Sequence, residues 1–180
     1  LDGLRVSDTS QECDTYLAAM PGAGVADLYQ RHGSRLLEGN VRSYLSNRGK
    51  VNKGIRETVA TQPERFLAFN NGISATATGV ETKEGRIVSI TDLQIVNGGQ
   101  TTASLFYVRR DARDASQKAL TDVYVQMKLV VVKPEEAVEM IPLISRYANS
   151  QNKVSEADFF SNSPFHVRLA ELSQRVLVPP

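Results

Sequence analysis

The sequence predicts an α/β or α+β fold in which a small mixed β-sheet is flanked by helices. Three observations carry that prediction. Residues 123–132 form a valine-rich run long enough for a central strand. Segments with apolar residues at helical spacing lie on both sides of it in the chain. The elements also alternate, with helices first, then a cluster of strands, then strand, helix, strand, helix, helix, and no internal repeat.

The first twenty residues have weak periodicity and end at Pro21-Gly22, so residues 1–23 are read as an edge strand or the remnant of a preceding region. A single α/β domain is expected over residues 24–180. Val25, Leu28 and Tyr29 recur at helical spacing, and Leu36 and Leu37 extend the same side, which predicts a helix over residues 24–37. Asn52 is placed to cap a second helix carrying Ile55 and Val59, which Pro63 stops. Phe66-Leu67-Ala68-Phe69, then Asn70-Asn71-Gly72, then alternating small and β-branched residues read as a β-hairpin. A Glu84-Gly85 turn leads into a strand over residues 86–90, and residues 93–96 form the strand before Gly98-Gly99. A helix follows over residues 102–110. Pro134, Glu135 and Glu136 start another helix, since proline suits the first turn and acids suit the positive end of the dipole; Pro142 marks a kink in it. Ser155 and Asp158 have capping-box spacing, and Ser163-Pro164 opens a last helix striped by Phe165, Leu169, Leu172 and Val176.

Composition narrows the function. The chain has 180 residues, 41% hydrophobic and 23% charged, with no apolar run long enough to cross a bilayer. A membrane partner is therefore not expected. One cysteine, Cys13, makes no internal disulfide, and two histidines, His32 and His166, do not complete a zinc site, so a reducing cytoplasm fits best. Position 1 is Leu and no signal-peptide pattern opens the chain, which reads as an excised piece of something longer. The net charge of +1 hides an asymmetry. Residues 31–56 hold seven basic residues (Arg31, Arg35, Arg42, Arg48, Lys50, Lys53, Arg56) and one acid (Glu38), which is +6 and leaves −5 elsewhere. Such a stretch is either a solvated helix face with a basic loop or a phosphate-binding patch.

The most informative segment is Leu93 to Thr102, where a short strand passes through Gly98-Gly99 into a helix opened by Thr101 and Thr102. Glycines let backbone approach a ligand, and the free N–H groups of a helix start attract anions. The loop carries no acid, histidine or cysteine, which favours holding over cutting. Two further amide-rich clusters, Asn70-Asn71-Gly72 and Asn149-Ser150-Gln151-Asn152, also sit at element ends. Amide side chains both donate and accept, which suits a base edge, a sugar or a peptide. Each cluster also has a purely structural explanation: a hairpin turn, a helix end, and tight strand-to-helix packing. If the three converge at one sheet edge, they form a common site. Its ligand-binding residues are then Asn97, Gly98, Gly99, Gln100, Thr101, Asn70, Asn71, Asn149, Gln151 and Asn152, with Arg42, Lys53 and Arg56 as phosphate-binding countercharge.

These clusters, together with Asn40-Val41-Arg42-Ser43-Tyr44-Leu45 and Val51-Asn52-Lys53-Gly54-Ile55, resemble the abortive-infection phage-resistance (AIPR) family over residues 25–160. The resemblance implies a bacterial cytoplasmic protein of phage defence. More distantly, Gly98-Gly99-Gln100-Thr101-Thr102 is similar to the Asp-Gly-Gln-His-Arg loop of ParB-like proteins, which implies a ParB-like core. Gly98, Thr101 and Thr102 replace that loop's acid, histidine and arginine, a difference that speaks against hydrolysis more than against nucleotide binding.

Catalytic constellations are thin. A magnesium-dependent nuclease or nucleotide hydrolase would use Asp92 with Gln126 and Lys128, which share one strand face, yet strand alternation supplies that spacing without chemistry. Cys13 has no evident base, and Ser161, Ser163 and His166 fit capping. Phe69, Phe106 and Tyr107 are read as core rather than as a base-stacking platform. The leading expectation is a cofactor-free module that binds nucleic acid or nucleotide phosphate through the glycine loop and the basic stretch. The alternatives are the metal-dependent enzyme and a protein-interaction module facing a phage or host protein.

Overall fold

The central strand of a five-stranded sheet is Tyr124–Val132 (β7), flanked by Cys13–Pro21 (β2) and Ile73–Ala77 (β3). The strand order is β1-β2-β7-β3-β6, with Gly3–Val6 (β1) and Gln94–Asn97 (β6) at the two edges. In this computed structural model the described residues are 1–6, 13–37, 50–111 and 120–149. Expectations for Arg42, Gln151 and Asn152, for the 40–45 motif, for Ser161, Ser163 and His166, and for the last helix lie outside them.

Register explains the core. β7 pairs antiparallel with β2 and parallel with β3, which sets Met127 opposite Ala18 and Ile73, and Leu129 opposite Tyr16 and Ala75, all buried on one face. Tyr124, Gln126 and Lys128 alternate onto the other face and are exposed. The mixed α/β architecture is thus the predicted one, with the valine run at its centre. Within the first twenty-three residues β1 is an edge strand and β2 is interior, and Leu1–Asn149 pack as one unit. The alternation of β2 is hidden from sequence by small residues: Ala18 faces the core and Ala19 faces out.

The helices are Gly22–His32 (α1), Lys50–Thr61 (α2), Phe66–Phe69 (α3), Gly99–Asp111 (α4) and Ala137–Asn149 (α5). A 3-10 turn, Gly33–Leu37, continues α1 and buries Leu36 and Leu37. Gly79–Lys83 (β4) and Arg86–Thr91 (β5) form a separate hairpin, whose turn residues Glu84 and Gly85 both have positive φ, the backbone a two-residue turn requires. The chain start links the sheets, with Leu1 and Ile87 exchanging backbone hydrogen bonds of 2.8 Å.

Two local expectations are corrected. Residues 66–80 are not a hairpin: the chain leaves the 3-10 turn Pro63–Arg65 and continues helically, with Phe66 at 1% exposure and Phe69 at 62%. Four apolar residues without β-branching are too few to distinguish a helical turn from a strand, and proline had already started the turn. Nor does Asn52 cap α2, which begins two residues earlier and buries Asn52. No described helix is long and apolar enough to cross a membrane.

Candidate functional site

The glycine loop lies where edge strand β6 turns into α4. Gly98 has φ +90°, and its N-cap carbonyl accepts from the Thr102 backbone N–H at 3.0 Å and the Thr102 hydroxyl at 3.1 Å. A Cβ on Gly98 would stand 2.6 Å from the Gly72 carbonyl oxygen and 2.7 Å from Ile73 Cγ2. Gly72, at φ +75°, is itself pressed against the Gln126 carbonyl, which leaves no room for a Cβ. Two glycines thus let β6, the 70–72 link and β7 pack backbone to backbone. The chain's own crowding accounts for their absent side chains.

Among the described residues, Asn70, Asn97 and Asn149 hydrogen-bond neighbouring segments of the chain. Asn70 Oδ1 accepts from the Gly72 N–H at 2.9 Å and from the Thr101 hydroxyl at 3.3 Å, which ties the 70–72 link to the first turn of α4. Asn97 Nδ2 donates to the Ala148 carbonyl, while Asn149 Nδ2 donates to the Val96 carbonyl at 2.8 Å and the Ser145 carbonyl at 2.8 Å. The exchange covers two orphans at once: the last carbonyls of α5 and an outward carbonyl of an edge strand. Asn70, Asn97 and Asn149 therefore spend hydrogen bonds on the frame. Thr101 and Gly99 are buried, whereas Asn71 and Gln100 are exposed beside the N–H groups of the first turn, which have no intrahelical acceptor.

The expected countercharge is elsewhere. Arg56 lies near Asp111, at 3.9 Å, with its guanidinium 5.8 Å from the Tyr107 ring centroid; Gly99 and Asp111 are about 18 Å apart along α4 at 1.5 Å per residue. Lys53, exposed one turn before Arg56, shares its face of α2. Pairing of Arg56 with the glycine loop is thus corrected.

Around Tyr107 the fold builds a patch the sequence reading missed. Arg110 sits 4.7 Å from the ring centroid and hydrogen-bonds Asp111 at 2.8 Å, a contact that holds its pKa above the ordinary arginine value. Arg109 instead binds Asp27 and Gln30, locking α1 to the C-terminal end of α4. The doublet Arg109-Arg110 at a helix end was the available signal. Phe69, expected in the core, is exposed, while Phe106 and Tyr107 are half-buried. Burial, and then Tyr107 nearby, push the Tyr29 phenol up from its ordinary value.

The nuclease set does not assemble. Asp92 has φ +53° and accepts from the Thr78 hydroxyl at 2.6 Å. Lys128 pairs with Ser74, four residues from Thr78 and so about 13 Å along the strand direction. Among the described residues no group of three His, Cys, Asp or Glu side chains could hold a metal ion.

No curated protein and no solved structure matches the chain. The ParB-like resemblance finds no counterpart in the comparisons. The family described as AIPR protein matches residues 37–177, which include α2, the glycine loop and the Asn97–Asn149 exchange. The chain belongs to the AIPR family, a membership that supports a role in abortive-infection phage defence.

Proposed function

We propose that this domain is the nucleic-acid-binding part of a phage-defence protein. One observation carries the reading: Arg56 and Arg110 flank the Tyr107 ring, and Lys53 stands on the same face of α2. Cations interleaved with an aromatic ring suit a polyanion whose bases stack, the guanidiniums taking phosphates and the ring a base. Asp111 offsets one of the three charges, leaving +2. The glycine loop contributes secondarily, through Asn71, Gln100 and the first-turn N–H groups of α4.

Binding of labelled single- and double-stranded DNA and RNA, titrated against salt, tests this. Affinity should fall with salt at a slope of about −0.9 per phosphate contacted on a duplex, and Lys53→Ala/Arg56→Ala/Arg110→Ala should make that slope shallower by about two to three. Tyr107→Leu should weaken single strands more than duplex, by roughly 1–3 kcal/mol for one stacked base. Affinity no better than that of a neutral control protein, or a slope unchanged in the triple variant, would refute the proposal.

A further inference from the structure

A cavity of about 800 Å³ lies between α1 with its 3-10 extension on one side and hairpin β4–β5 with the start of β6 on the other. Its lining divides by chemistry. Leu28, Leu36, Ile87, Ile90, Leu93 and Met20 give apolar walls. Arg31, His32 and Arg35 stand together on the helical side, and Ser89, Asp92 and Gln94 face them from the strands. Arg31 and Arg35 have no ion-pair partner among the described residues. Asp92 lies in the left-handed region, which aspartate adopts more readily than most residues, and its carboxylate accepts from the Thr78 hydroxyl.

We propose that this cavity binds a mononucleotide, or an organic phosphate of similar size. Two guanidiniums without carboxylate partners among the described residues match a phosphate dianion, which they bind in fork geometry. The apolar walls accept the flat faces of a base, and Asp92 with Gln94 and Ser89 supplies acceptors and donors for ribose hydroxyls or a base edge. The volume falls in the range of small-molecule sites. A fatty acid would use the cations and the walls but leave the polar strand side facing hydrocarbon, an unfavourable match. Lys53, Arg56, Tyr107 and Arg110 are not among the described residues that line this cavity.

Calorimetric titration of the 180-residue chain with adenosine and guanosine 5′-monophosphates, the two nucleosides, inorganic phosphate and palmitate tests the proposal. A nucleoside monophosphate should bind saturably, at least tenfold tighter than its nucleoside and than phosphate alone. Arg31→Gln/Arg35→Gln should weaken it at least tenfold. Ser89→Trp, which fills the cavity from an exposed position, should abolish it at unchanged melting temperature and decides the matter if the double arginine variant does not fold. Lys53→Ala/Arg56→Ala/Arg110→Ala should leave it intact, so the two sites fail independently. No saturable nucleotide binding, tighter binding of palmitate, or nucleotide binding that survives Ser89→Trp would overturn it.

Discussion

Gly98→Ala separates two reasons for a glycine in this loop. A glycine kept for the close approach of a ligand could become alanine with little loss of stability, whereas one kept for backbone packing could not. At Gly98 an added Cβ meets the Gly72 carbonyl oxygen at 2.6 Å, Ile73 Cγ2 at 2.7 Å and Ile73 Cα at 2.9 Å, two of the three being backbone that does not swing away. The positive φ adds about 1–2 kcal/mol for any residue with a Cβ, and forcing atoms into a packed site adds about 1–3 kcal/mol. The sum is about 2–5 kcal/mol. That is a large share of the roughly 5–15 kcal/mol that stabilises a domain, and for a chain of this size it lowers the melting temperature by roughly 4–20 °C. Chemical denaturation of Gly98→Ala beside Gly54→Ala is the assay. Gly54 lies on α2 with open space where its Cβ would be, so its alanine variant should gain about 0.5–1 kcal/mol. A loss below about 0.5 kcal/mol at Gly98 would refute the packing explanation.

Three further outcomes follow from the same geometry. Asn97→Ala and Asn149→Ala should each cost about 0.5–2 kcal/mol, and a double-mutant cycle should show them coupled by at least about 0.5 kcal/mol, because they stitch the same strand to the same helix end. Arg109→Met should cost about 0.5–1 kcal/mol, a loss that shrinks in high salt, since both partners are partly exposed. The raised Tyr29 pKa makes the unfolded chain lose its phenolic proton first, so stability should fall as pH rises past about 10 and through the folded pKa; Tyr29→Phe should flatten that limb of a pH-dependent denaturation series.

The positions of β5, β6 and β7 and the glycine loop were legible because each has a local signature. β7 declares itself through β-branched density, and the turn Glu84-Gly85 through the backbone that Gly85 tolerates. Convergence of the amide clusters could be proposed from their places at element ends. What became of the amides could not, because the partners of Asn97 and Asn149 are backbone carbonyls some fifty residues away. The place of Arg56 was hidden for a related reason: its neighbour Tyr107 comes from α4, some fifty residues on, and sequence carries no record of which helix ends meet. The cavity beside Arg31 was equally unreadable, since its opposite wall comes from a hairpin some sixty residues on.

The basic stretch gains meaning once the fold divides it. In sequence, Arg31, Arg35, Lys53 and Arg56 belong to one run with net charge +6. In the structure the first pair borders a cavity with apolar walls, and the second pair stands on α2, with Arg56 beside an aromatic ring of α4. A single polyanion laid over one continuous basic face would recruit both pairs, and its affinity would fall with every charge removed. Two separate sites respond differently, because a polyanion releases counterions with every phosphate its cations contact, whereas a mononucleotide brings a single phosphate group. Binding at the Tyr107 patch should therefore be strongly salt-dependent and tolerant of Arg31→Gln/Arg35→Gln. Nucleotide binding in the cavity should be only weakly salt-dependent and tolerant of Lys53→Ala/Arg56→Ala/Arg110→Ala. Charge that one sequence window counts together thus serves two chemistries, which the salt dependence of each variant set resolves.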